Sequence, residues 1–205
     1  MAISYPLALP AAPGFKSAQF SGRAVVGVSR SPFTGQQQVQ EFAGQWWEAN
    51  LQLPPMIRAS AEAWLAFFLK LSGMKGTFLL GDPGGSQPRG LFAGTPLVDG
   101  AHAARSATLA LRGLTVGTTI LAGDYVQVGI GAATRLHKNL NDVTADAFGK
   151  ATLDIWPFTR AALSDGAAVT NQNCVGTFRL ATNDMPWDLG EALIYGVSFS
   201  AIEAL

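Results

Sequence analysis

Two stretches of strict alternation lie at opposite ends of the chain, and they restrict the fold more than any other feature. In QWWEANLQL (45–53), Trp47, Ala49, Leu51 and Leu53 fall on one face and Glu48, Asn50 and Gln52 on the other, the period of a half-buried strand. In ALIYGVSFSAIEAL (192–205), Tyr195, Val197, Phe199 and Ala201 share one face, with Gly196, Ser198 and Ser200 opposite. A strand with one apolar face needs a partner, and the 45–53 segment is the best match in length and face. That pairing predicts a discontinuous first domain, residues 1–80 plus 186–205, with residues 81–185 inserted as a separate β-rich module.

Only one segment carries a helical period. Pro54 and Pro55 end the strand because neither can donate to a ladder, and Pro suits a helix entrance. From about Ile57 to Leu71, Ala61, Trp64, Leu65, Phe68 and Leu71 recur at spacings of three and four, and Ser72-Gly73 supplies the stop. Elsewhere the signals are short strands between turn residues: RAVVGVS (23–29) broken by Ser31 to Gly35, GTFLL (76–80), then ATLAL, DYVQVGI, TRLHK, ATLDI and VGTFRL between 107 and 180. Asp146, Phe148 and Gly149 form an expected hairpin tip. The turn-rich GDPGGSQPRG (81–90) is the expected boundary of the inserted module. The fold class is therefore mainly β with a single helix.

Charge narrows the partners. The chain has 14 Lys+Arg and 14 Asp+Glu in 205 residues, 14% charged against 48% hydrophobic. So small a charged fraction solvates a monomer surface poorly, which leads to an expectation that other subunits cover much of it. With zero net charge and no basic run, the sequence argues against nucleic-acid binding. No apolar run approaches the ~20 residues of a membrane helix, and the opening Met-Ala-Ile-Ser-Tyr-Pro lacks the features of a signal peptide. The lone Cys174 fits assembly in a reducing cytoplasm.

Catalytic chemistry has few places to sit. His102 and His137 lie in no spacing that metal or nucleophile chemistry uses, and Cys174 reads as an inert thiol. Asp142, Asp146 and Asp154, with Asn139 and Asn141, read as solvated turns rather than a calcium loop. Gly81-Asp82-Pro83-Gly84-Gly85 lacks the Lys-Ser/Thr of a phosphate cradle and reads as a linker. No catalytic, cofactor-binding or metal-binding residue is expected. The expected interface residues are Trp46, which faces opposite Trp47; Phe33, Gln36, Gln37 and Gln38 in the 30–40 loop; and Trp156 and Trp187 beside Pro157 and Pro186. The Pro/Ala-rich first twenty residues, with Pro6, Pro10 and Pro13, are expected to lie on a neighbour.

SPFTGQQQVQEFAGQWWEANLQLPPM, followed by the aromatic helix and GTFLLGDP, resembles the opening of minor tail proteins of long-tailed bacteriophages, including distal tail (baseplate) proteins. LAGDYVQVG and RLHKNLNDVTADAFGKATLDIWPFTRAALSDGAAVT through GTFRL (121–180) resemble their second half, so the likeness covers most of the chain. It implies a tail-tube-like β-sandwich with one flanking α-helix plus an inserted all-β module, closing with copies of itself into a ring, commonly a hexamer. It also implies tail-tube and baseplate hub proteins, and tail fibres, as partners, a place at the tail tip of the virion, and no enzymatic activity or cofactor. The alternative from the residues is a host-glycan-binding module in which residues 91–180 present exposed aromatics such as Tyr125 or Trp156.

Overall fold

The computed structural model describes residues 3–185, 187–190 and 193–205. Chain order gives β1 (Ser17–Arg30) and β2 (Gln37–Gln52), then α1 (Arg58–Leu71) and β3 (Phe78–Leu80). The middle supplies β4 (Gly94–Val98), β5 (Thr108–Leu114), β6 (Thr119–Ile120), β7 (Tyr125–Val128), β8 (Arg135–Asn139), β9 (Val143–Thr144), β10 (Ala151–Trp156) and β11 (Val169–Thr170). Last come β12 (Gly176–Leu180), β13 (Asp188–Leu189), β14 (Tyr195–Gly196) and β15 (Ser198–Glu203). The protein is mainly β with one α-helix.

The two ends of the chain share a sheet. Its order is β1-β2-β15-β12-β3, all antiparallel, and Phe199 stands opposite Leu51 and Ala201 opposite Ala49. α1 lies across the apolar face and buries Ala61, Trp64, Leu65, Phe67, Phe68 and Leu71 against Leu51, Phe78, Phe178 and Ala201. Aromatic edges fill the seam: Phe68 meets Phe199 with ring centroids 4.9 Å apart, and Phe67 meets Phe78 at 5.6 Å. The helix stops at Ser72, which is itself left-handed (φ 51°) and donates its N–H to the Leu69 carbonyl.

Two placements differ from the sequence expectation. VGTFRL, grouped above with the middle segments, runs between β3 and β15 as β12. Its residues are buried on both faces, so it has no period to mark which sheet it joins. The N-terminal segment lies on its own fold rather than reaching out: Leu7 N–H donates to Thr77 O and Leu79 N–H to Leu7 O, both at 2.9 Å. Tyr5, Leu7 and Leu9 pack on the core, and the Tyr5 hydroxyl donates to Lys70 O at 2.6 Å. These apolar anchors hold the segment along the β3 edge and close that side of the sheet.

Residues 94–170 build a second sheet, ordered β11-β7-β8-β10-β5-β4. It closes on itself into a barrel, because Leu97 bridges Ala168, and Val98 N–H donates to Ala167 O at 2.9 Å. Val98, Leu109, Leu111, Ile120, Val126 and Leu153 fill its interior and are wholly buried. The expected hairpin tip is present between β9 and β10: the Asp146 carboxylate accepts from Phe148 N–H and Lys150 N–H, and Gly149 has φ +68°.

Candidate assembly surface

β1 and β2 outrun the sheet that holds them. β15 pairs with β2 only from Glu48 to Gln52, whereas β1 and β2 stay paired as far as Arg30 and Gln37. The part beyond Trp46 is a two-stranded ribbon extending about 27 Å at ~3.3 Å per residue. Its base is fixed. The Trp156 indole lies on Gly22, where an added Cβ would come within 2.5 Å of the ring, and stacks edge-on against Trp47 at 4.5 Å. Trp47 Nε1 donates to Leu136 O at 2.9 Å, and the Gln45 side-chain carbonyl accepts from Phe158 N–H at 3.1 Å.

The ribbon presents apolar side chains without a layer to bury them. Val26, Val28 and Val39 share one face by register, and Val28 and Val39 are 61% and 62% exposed. Phe42, which by strand alternation faces the other way, is 53% exposed. Among the described residues, the outer edge of β1 and the edge of β2 from Gln37 to Trp47 have no strand partner. The arm therefore offers two unpaired backbone edges and two part-apolar faces. An isolated two-stranded hairpin is marginally stable in water, and long unblunted edges invite pairing with another chain.

A built turn caps the arm. The Ser31 hydroxyl accepts from the N–H groups of Phe33 and Thr34 at 3.3 and 3.2 Å, and Ser31 N–H donates to Gln36 O at 2.9 Å. Gly35 supplies the left-handed residue, with φ +74°. This turn holds Phe33 with 95% of its surface exposed.

The expected interface residues fall in three places. Phe33, Gln36, Gln37 and Gln38 come together at the exposed tip. Trp46 is half-buried at the arm's base, where its Nε1 donates to Glu48 Oε1 at 3.1 Å; Arg23 Nε holds the other carboxylate oxygen at 2.8 Å and keeps that carboxyl below the usual range. Trp156 is engaged inside the chain, and Trp187, 47% exposed, lies beyond the far end of β2 beside β13. Sequence reasoning missed Val25, Val26, Val28, Val39 and Phe42 as surface. Their signal was present as alternation running from QQVQEF into QWW, which continues a strand through what reads as a loop.

The two histidines and the cysteine all engage groups inside the chain. His137 is buried on β8 opposite Val126 of the barrel interior, its Nδ1–H donating to Pro157 O at 2.7 Å; burial, helped by the nearby Arg160 and Arg135 charges, pushes its pKa down to about 4. Arg160 forms a largely buried ion pair with Glu203, whose carboxylate also accepts from Trp47 N–H at 3.2 Å. His102 Nε2 accepts from Ala110 N–H at 3.2 Å. Burial pushes the Cys174 thiol up to about 12. Among the described residues, no group of three or more His, Cys, Asp or Glu is placed to hold a metal ion, and no helix is long and apolar enough to cross a membrane.

The aromatics named for a glycan platform on residues 91–180 are not free to act as one. Tyr125 is buried, its hydroxyl donating to Asp82 at 2.9 Å, and Trp156 covers Gly22. Both point inward because the barrel's outer wall on this side is also the wall of the first core, which includes Tyr125 and Leu136. No protein-family model matches the chain, and no curated sequence matches it significantly.

Proposed function

We propose that this protein is a structural ring subunit at the distal end of a phage tail, joining tail tube to baseplate and fibres. The observation that carries the assembly part of this reading is the β1–β2 arm, with both edges unpaired and its valines in solvent. The outer edge of β1 in one copy is complementary to the free edge of β2 in the next, and strands alternating in this way remain antiparallel throughout. Such contacts are heterologous, so they propagate around a ring when the rotation between copies closes. The low charged fraction fits a chain whose surface is shared among copies. The tail location is supported by the resemblance of the 31–56 and 121–180 segments to minor tail proteins, whose rings are commonly hexamers.

The test is to replace residues 27–40 with Asn-Gly. This joins Val26 and Glu41, which already face each other, through a two-residue turn. Light scattering and negative-stain images should show rings for the intact protein and a folded monomer for the shortened one. Rings from both, or a monomer from both at high concentration, would contradict the proposal.

A further inference from the structure

A second surface carries chemistry that the ring does not use. On the solvent face of the first sheet, register aligns two rungs of neutral polar residues, Ser17–Gln52–Ser198 and Gln19–Asn50–Ser200. They line one side of a groove of about 560 Å³, within the ordinary range for a small-molecule site. Met185 adds apolar surface, and Asp184 is the single ionisable side chain in the lining.

The hydrogen-bonding capacity of the rungs is half committed. Ser200 Oγ donates to Asn50 Oδ1 at 2.6 Å, and Ser17 Oγ to Gln52 Oε1 at 3.4 Å. The shorter contact fixes the Asn50 carboxamide by its oxygen, and the longer one holds that of Gln52 only loosely. Among the described residues neither Nδ2 of Asn50 nor Nε2 of Gln52 has an acceptor, so two amide groups, two residues apart on one strand, offer donors to the groove. A ligand that suits them has many neutral oxygens that both accept and donate, and an apolar patch for Met185. An anion would meet Asp184 and no cation in the lining.

We infer that this groove binds a neutral oligosaccharide, with Asn50 and Gln52 donating to its hydroxyl oxygens. The inference stands apart from the ring reading, since the arm begins where the groove ends and binding is measured separately from assembly.

The test is calorimetric titration of the intact protein with maltohexaose, cellohexaose and chitohexaose. Asn50→Asp and Gln52→Glu are the variants, because a carboxylate keeps the acceptor for the neighbouring serine while it removes the donor and adds a negative charge. At least one sugar should bind the intact protein, and each variant should weaken it about tenfold or more, with oligomeric state and thermal midpoint unchanged. Failure of all three sugars to bind at 10-fold excess over a ~1 mM dissociation constant would overturn the inference. Unchanged affinity in the double variant would do so too, as would burial of Gln19 and Gln52 by another copy in the assembled ring, read by hydrogen exchange.

Discussion

The barrel and the arm are made of similar residues and finish differently. Val98 in β4 is wholly buried, whereas Val28 in β1 is 61% exposed, although each is a valine in an antiparallel strand pair. The barrel joins its first strand to its last and so satisfies its own edges, with Leu109, Leu111, Ile120 and Leu153 inside. Among the described residues, the arm has no second layer and no closing strand. Propensity makes a strand in both places; what makes one a domain and the other an unfinished surface is whether the chain returns to cover it.

That difference can be broken from either side. The largest effect on assembly is expected from Val28→Asp combined with Val39→Asp, which puts two charges on one face of the arm. Ring formation should weaken at least ~100-fold, as expected when apolar contact is replaced by desolvated charge, while the monomer keeps its thermal midpoint. Glu203→Ala leaves Arg160 buried without its carboxylate and should cost about 3–5 kcal/mol of monomer stability by denaturant titration. In the barrel, Leu153→Ala should cost about 2–5 kcal/mol through the cavity it opens.

His137 gives the comparison a pH axis. The unfolded chain takes up this proton near pH 6.5 and the folded chain near pH 4, so the contribution of His137 to stability should fall as pH drops through that window and stay constant above it. The full loss is about 3 kcal/mol, from about 1.4 kcal/mol per unit for a fully buried group. Denaturant midpoints at pH 7, 5 and 4 test it, and His137→Gln should flatten the curve. The smallest effect is expected from Val28→Ala, within about 0.5 kcal/mol for the monomer, because the side chain has little to lose in the isolated copy.

Much of the framework is legible in the sequence because it rests on long periodic segments. The 45–53 and 192–205 alternations identify each other as partners, and α1 follows from five apolar positions and a Ser-Gly stop. β12 is not legible, since burial on both faces erases the period that would assign it to a sheet. Barrel closure is not legible either: it depends on Leu97 meeting Ala168, a contact between segments about seventy residues apart with no shared pattern. The tip of the assembly surface could be read from Phe33 and the glutamines, but its length could not. Turn residues Ser31 to Gly35 and three successive glutamines mask a strand that resumes at Gln37. Trp156 shows the reverse error, where an aromatic beside Pro157 reads as a rim but instead rests on Gly22 to brace the arm.

Amide hydrogen exchange, followed from dilute to concentrated protein, tests most directly whether other copies complete the arm. Protection should appear in residues 23–30 and 37–45 only as the protein assembles, with the barrel strands protected throughout. Slow exchange of the arm in the dilute monomer, or fast exchange of the arm at every concentration, would contradict the account.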